Sequence, residues 1–105
     1  MIRIPQPTTL KKYGLSRLEW SAILSWQGDV CAICKKQPDS GRLVTDHKHV
    51  KGWKKMPPER RKLHVRGILC WFCNSSYMGK GMTLSKALNM VEYLRAYQLR
   101  LSEKS

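Results

Sequence analysis

Cys31-Ala32-Ile33-Cys34 and Cys70-Trp71-Phe72-Cys73 are the two stretches that decide the fold, because together they contain every cysteine of the chain. A Cys-x-x-Cys pair can direct two thiolates at one ion, and two such pairs complete the tetrahedral site that zinc prefers. Disulfides or a redox-active pair are the alternatives, but a redox function leaves the duplication unexplained. The spacing therefore favours a structural four-cysteine zinc site formed by Cys31, Cys34, Cys70 and Cys73.

A closed zinc site leaves no coordination position open for water, so we expect it to stabilise the fold and to take no part in catalysis. It also ties the segment before the first predicted strand to Cys73, directly before Asn74. At 105 residues and 12.2 kDa the chain has room for one domain, which buries a limited share of its apolar surface on folding. Zinc is the additional stabilisation that such a small core needs.

The chain is strongly basic, with 20 Lys and Arg against 7 Asp and Glu and a formal net charge of +13. This imbalance favours a polyanionic partner, and DNA is the first candidate. A solvated basic surface without a nucleic-acid partner is the alternative. No stretch near Met1 has the pattern of a signal peptide, and no apolar run has the length of a membrane span. We therefore expect a cytoplasmic protein that does not interact with membranes.

Helical patterns are found towards both ends of the chain. Residues 1–13 contain two prolines and scattered lysines, and they are predicted to form a basic arm. Ser16 and Glu19 match the Ser-x-x-Glu capping box and predict an N-terminal helix within residues 14–28. A C-terminal helix is predicted over residues 83–103 from apolar side chains at helical spacing: Leu84, Ala87, Leu88, Val91, Leu94 and Leu101. Its wide apolar face is expected to pack on the core, with a partner helix as the alternative.

Residues 30–79 are predicted to form the core of the protein, with two strands and a short helix held by zinc. Leu43-Val44-Thr45 and the segment from Val65 to Leu69 have the apolar character of short strands. Residues 50–64 between them are predicted to be a basic loop, because a pair of prolines excludes a regular strand. The expected fold class is small and α+β, in a single domain over residues 1–105.

Asp46-His47-Lys48-His49 follows the first strand and places two of the three histidines beside an acid, in a chain that has few acids. A carboxylate suits a hard cation such as Mg²⁺ or Mn²⁺, and the amide oxygen of Asn74 can add a second ligand. A neutral imidazole such as that of His47 can take a proton from water near physiological pH. Asp46 and His47 can reach one phosphate only at a strand end or a bulge, so we expect one there. Taken singly, each residue also fits an ordinary polar contact or a cap.

Taken in order along the chain, these motifs resemble the phage recombination endonuclease VII family of HNH nucleases. The resemblance covers about residues 11–97 and is carried by Lys12-Tyr13-Gly14-Leu15, Cys31-Ala32-Ile33-Cys34, Asp46-His47-Lys48-His49, Val65-Arg66-Gly67-Ile68-Leu69-Cys70 and Cys73-Asn74. It implies a ββα-metal (His-Me finger) core with zinc-bound knuckles, often in a phage-encoded protein that acts in the host cytoplasm. It also implies catalytic metal ligands at Asp46 and Asn74, a general base at His47 and a supporting active-site histidine at His49.

The resemblance implies a metal-dependent DNA endonuclease that hydrolyses phosphodiester bonds by nicking or by double-strand cleavage. The side chains expected to contact DNA are Arg66 and the basic residues of the predicted loop: Lys51, Lys54, Lys55, Arg60, Arg61 and Lys62. A zinc ribbon that binds nucleic acid without cutting it is one alternative, and a homing or packaging-associated nicking endonuclease is another. The chain departs from the family's best-known member at Tyr77, where that member has an acid. The pattern is compatible with a monomer and with a homodimer.

Overall fold

The structure is a computed structural model that describes residues 2–79 and 81–104, so both ends of the predicted domain, residues 1 and 105, lie outside it. Its elements are α1 (Pro7–Lys12), α2 (Arg17–Trp26), β1 (Val44–His47), a 3₁₀ turn (Trp53–Lys55), α3 (Pro58–Lys62), β2 (Val65–Leu69), α4 (Trp71–Ser76) and α5 (Leu84–Lys104). The protein is therefore a small mixed fold of helices around a two-stranded sheet. Within the described residues, none of the helices has the combination of length and apolar character that a membrane span requires.

Two segments are more regular than the sequence predicted. Residues 7–12 of the predicted arm form α1, because Pro7 has the fixed φ of a first helical residue and Leu10 is buried in the core. The predicted basic loop 50–64 contains the 3₁₀ turn and α3, and Pro58 begins α3 in the same way. The prolines exclude a strand but permit the start of a helix. The prediction of a basic arm was therefore wrong for residues 7–12, and that of a basic loop was wrong for residues 53–55 and 58–62, because these segments are helical.

The capping box predicted at α2 is present. The Ser16 hydroxyl accepts a hydrogen bond from the Glu19 amide at 3.1 Å, and the Glu19 carboxylate accepts one from the Ser16 amide at 2.9 Å. The Lys62 ammonium approaches the same carboxylate at 2.7 Å. The hydrogen bonds from Lys62 and from the Ser16 amide lower the pKa of Glu19 to about 2. These contacts join the start of α2 to α3.

Trp20 and Gln27 connect α2 to the sheet. Trp20 is fully buried, and its indole N–H donates to the Thr45 hydroxyl in β1 at 3.1 Å. The side-chain amide of Gln27 accepts from the Ile68 N–H at 2.9 Å and donates to the Ile68 carbonyl at 2.8 Å, as a neighbouring strand would. Because both strands are bound to one helix, the end of the sheet that carries Asp46 and His47 has a defined position.

β1 and β2 form an antiparallel pair with an irregular end. Asp46 lies opposite Gly67, His47 lies opposite Val65, and the register shifts between Asp46 and His47. Neighbouring residues of a regular strand point to opposite faces, and an extra residue in one strand changes that alternation. The predicted irregularity between the two candidate catalytic residues is therefore confirmed.

α5 lies outside the core. Every residue from Leu88 to Glu103 is exposed. The large apolar side chains that α5 leaves exposed are Leu84, Leu88, Met90, Val91, Tyr93, Leu94, Tyr97, Leu99 and Leu101. The prediction that this face packs on the protein's own core was wrong. The wide apolar face of α5 is consistent instead with the alternative of a partner helix.

Candidate active site

The four cysteines converge where the segment before β1 meets the start of α4. The sulfur atoms of Cys31, Cys34, Cys70 and Cys73 all lie within 4.8 Å of one another, which positions them to bind a metal ion. Cys31 and Cys73 are buried, whereas Cys34 is exposed. The sulfurs of Cys34 and Cys70 are 3.9 Å apart, far beyond a disulfide bond length of about 2.05 Å. The geometry therefore favours metal binding over disulfides.

The surroundings of the sulfurs give the thiols different acidities. Burial raises the pKa of Cys73 to about 12, and hydrogen bonds to the neighbouring sulfurs act in the same direction. Burial also acts to raise the pKa of Cys31, but backbone hydrogen bonds involving Cys70, Cys34 and Ile33 outweigh it and lower that pKa to about 6. Amide groups directed at a sulfur stabilise its thiolate form. The surroundings thus favour the charged thiolate at Cys31 and the neutral thiol at Cys73.

Asp46 is a buried acid, only 4 % exposed, near the end of β1. Arg66 from β2 donates to both of its carboxylate oxygens, from Nε to Oδ2 at 2.8 Å and from Nη2 to Oδ1 at 3.0 Å. This pairing compensates the buried negative charge. A carboxylate has about four lone-pair positions, so Asp46 retains the capacity to bind a cation beside Arg66.

His47 lies within a cluster of rings. Trp53 stacks on it with ring centroids 4.1 Å apart, and the rings of His49 and Tyr13 lie at 4.8 and 5.5 Å. Burial lowers the pKa of His47, the neighbouring His49 lowers it further, and the charge of Asp46 opposes them. The lowered pKa favours a neutral imidazole at pH 7. A neutral imidazole is the form that can accept a proton from water.

A cleft of about 600 Å³ opens beside the two histidines. His47, His49 and Trp53 line one part of it, and the basic side chains that line it are Lys12, Lys51, Lys54 and Lys55. A concave site with positive walls attracts a polyanion such as the phosphate backbone of DNA. The structure therefore brings three lysines from the predicted DNA-contacting set to the candidate catalytic histidines.

The other predicted DNA contacts do not line this cleft. Arg61 donates to the backbone carbonyls of Met56 and Lys12 at 2.9 and 3.0 Å, and so connects α3 to the end of α1. Lys62 is paired with Glu19, Arg66 with Asp46, and Arg60 is exposed. A direct role of Arg60, Arg61, Lys62 and Arg66 in DNA binding stays a prediction.

Asn74 lies in α4, directly after the buried Cys73 of the thiol cluster, and is half-buried. α4 packs against β1, the strand that carries Asp46. Among the described residues, none forms a hydrogen bond with the side-chain amide of Asn74. The amide oxygen is therefore available as a ligand on the helix that packs against the strand of Asp46.

Lys12, Tyr13 and Trp53 are candidate site residues that the sequence analysis did not single out. Lys12 and Tyr13 belong to one of the motifs on which the family resemblance rests, but they were assigned to the basic arm. Burial and the charge of Asp46 raise the pKa of Tyr13. Trp53 lies in a segment that was predicted to be a basic loop. A large aromatic residue among basic residues was the sequence signal that could have indicated its burial.

Two comparisons with known proteins give a match to this chain. A family model described as recombination endonuclease VII matches residues 6–96. The Gene 59 protein of Mycobacterium phage D29 is 33 % identical over 88 residues, which cover 82 % of this chain and 47 % of that protein. The chain thus spans about half the length of this curated relative, and no solved structure gives a significant match. The chain belongs to the recombination endonuclease VII family.

Proposed function

We propose that the protein is a metal-dependent HNH DNA endonuclease that hydrolyses phosphodiester bonds, as a nick or as a double-strand break. Membership of an endonuclease family supports this class of reaction. The observation that carries the proposal is the position of His47, stacked on Trp53 and following the buried Asp46, in the wall of a cleft lined by lysines. One such domain occupies the whole chain, and β1, β2 and α4 form its ββα-metal core.

Asp46 and Asn74 are the proposed ligands of the catalytic ion, which is Mg²⁺ or Mn²⁺. Carboxylate and amide oxygens are the hard ligands that these ions prefer, and the Asp46 carboxylate keeps lone pairs free beside Arg66. When bound, the ion supplies positive charge that stabilises the transition state and the leaving 3′ oxygen.

The side chains around this position have separate roles in the proposed reaction. His47 accepts the proton of the attacking water, and its stacking on Trp53 orients the imidazole. His49, with its ring 4.8 Å from that of His47, supports the position of the general base. Lys12 and Lys51, with the other lysines of the cleft, bind phosphates and reduce the negative charge of the DNA where water attacks.

Zn²⁺ is the proposed ion of the thiol cluster. Four thiolates complete a tetrahedral site, so this ion is structural and leaves no position for substrate or water. It connects the segment before β1 to α4, and thereby sets the position of Asn74 relative to Asp46. The phage relative supports a phage origin, and we place the activity in the cytoplasm of a host cell.

Cleavage of supercoiled plasmid tests the proposed reaction. With Mg²⁺ or Mn²⁺ we expect wild-type protein to nick or linearise the plasmid, and His47→Ala to be slower by about 10³-fold because the general base is missing. His64→Ala is the matched control, since His64 does not line the cleft, and it should retain most of the activity. Undetectable cleavage by wild type and variant alike, with DNA binding intact, would contradict the proposal and support a zinc ribbon that binds without cutting.

A further inference from the structure

Trp26, the last residue of α2, is the most exposed large apolar side chain described, at 90 %. The other tryptophan of this helix, Trp20, is fully buried, so the exposure of Trp26 does not follow from its residue type. A single exposed apolar residue is common on protein surfaces and by itself indicates nothing. What distinguishes Trp26 is the cleft beside it.

This α2–β2 cleft has a volume of about 410 Å³. Its lining residues are Ala22, Ile23 and Trp26 from α2 and Val65, Arg66 and Gly67 from β2. Most of this lining is apolar, and Arg66 provides its only charged side chain. The cleft therefore combines an exposed aromatic ring, an aliphatic floor and one cation.

Arg66 and Gly67 connect the α2–β2 cleft to the candidate active site. Arg66 lines the cleft and its guanidinium donates two hydrogen bonds to Asp46. Gly67, also in the lining, lies opposite Asp46 in the strand pair. Arg66 thus belongs both to the α2–β2 cleft and to the hydrogen-bonded pair with the proposed metal ligand.

An unpaired nucleobase fits this combination of groups. Its flat face stacks on an indole ring, and the phosphate beside it is attracted by a guanidinium group. A base inside a duplex is already stacked on both faces, so only a base that has left the helix can use the Trp26 ring. The net charge of +13 favours a polyanion over an apolar peptide as the occupant.

We propose that Trp26 and the α2–β2 cleft form a base-stacking subsite that binds an unpaired nucleobase of the DNA next to the scissile phosphate. This inference rests on the proposed nuclease function for its DNA substrate. Trp26 is a specificity-determining residue in this scheme, not a catalytic one. Because stacking accepts every base, the subsite selects DNA by structure and not by sequence.

Binding without cleavage tests the subsite separately from the reaction. Zinc-loaded protein without added Mg²⁺ is titrated into two oligonucleotide duplexes that each contain 2-aminopurine, whose fluorescence falls on stacking. In one duplex the 2-aminopurine is paired, and in the other it is an unpaired bulge. We expect wild type to prefer the bulged duplex and to quench its fluorescence, and Trp26→Ala to lower the affinity ratio on the order of tenfold.

Two further variants complete the experiment. Trp26→Phe keeps a ring and should restore most of the preference, whereas Leu18→Ala removes an 83 % exposed side chain at the other end of α2, about 12 Å along its axis, and should change nothing. An unchanged affinity ratio and unchanged quenching in Trp26→Ala would overturn the subsite. Failure of wild type to cut plasmid, with the Trp26 effect intact, would overturn the proposed reaction alone.

Discussion

Arg66 holds the buried carboxylate of Asp46 with two hydrogen bonds, of 2.8 and 3.0 Å, from the neighbouring strand. Asp46 is largely removed from solvent in this position, and Arg66 is the group that compensates its buried charge. The guanidinium has further N–H groups that point away from Asp46 in any bidentate pair. These groups leave Arg66 with donors for a phosphate while it compensates the proposed metal ligand, and phosphate binding by Arg66 stays a prediction.

Replacement of Arg66 by Met should destabilise the protein by about 3 kcal/mol, because the Asp46 charge then remains buried without a partner. Urea denaturation measures the change in the free energy of unfolding. The double variant Asp46→Asn with Arg66→Met removes the charge together with its partner and should regain part of the loss. Equal stability of Arg66→Met and wild type would show that the pair does not compensate a buried charge.

Trp53 should act on the reaction through His47. Its ring stacks on the imidazole at 4.1 Å and is itself 8 % exposed, so it restricts the orientation of the proposed base. Trp53→Leu should lower kcat about tenfold, because the His47 imidazole would no longer be held in its orientation. The KM for DNA should change little. Trp53→Phe keeps a ring for stacking and should recover most of kcat. A loss confined to KM would assign Trp53 to DNA binding instead.

Local chemistry made much of this site predictable from the sequence. The two Cys-x-x-Cys pairs and the Ser16–Glu19 capping box have short, specific spacings, and the structure confirms that the sulfurs cluster and that the cap forms. Asp46 and His47 were predicted to lie at a strand end or a bulge, because neighbouring residues of a regular strand point to opposite faces. The register shift between them confirms this irregularity.

The contacts that the sequence did not reveal join residues far apart along the chain. Arg66 was predicted to contact DNA phosphates, and its pairing with Asp46 was not predicted. This pairing depends on a strand register that no local sequence pattern specifies. Trp53 contacts His47 because part of the segment 50–64 folds into short helical turns. A proline pair in the sequence does not predict these turns. The exposure of α5 depends on which surfaces remain for it to cover, and that is a property of the whole fold.

Loss of one cysteine from the thiol cluster should remove both the metal and the fold. Cys70→Ser is expected to eliminate bound zinc and the cooperative unfolding transition, because zinc binding supplies folding free energy in a core this small. Metal content and circular dichroism are measured together. Ser76→Ala, at the end of the helix α4 that Cys70 caps, is the matched control and should keep one zinc per chain. A folded Cys70→Ser protein without zinc would contradict a structural role for this ion.

The apolar face of α5 should be covered by a second copy of the chain. A helix in a protein gains most of its stability from packing an apolar face. Heptad positions a and d of α5 carry apolar residues with one exception, Gln98: Leu84, Ala87, Val91, Leu94, Gln98 and Leu101. We expect a dimer by light scattering, and Val91→Glu should convert it to a monomer that retains zinc, because Val91 is not part of the core. Ala96→Glu introduces the same charge at heptad position f and should leave the dimer intact. A wild-type protein that is monomeric at every concentration tested would rule out self-association through α5.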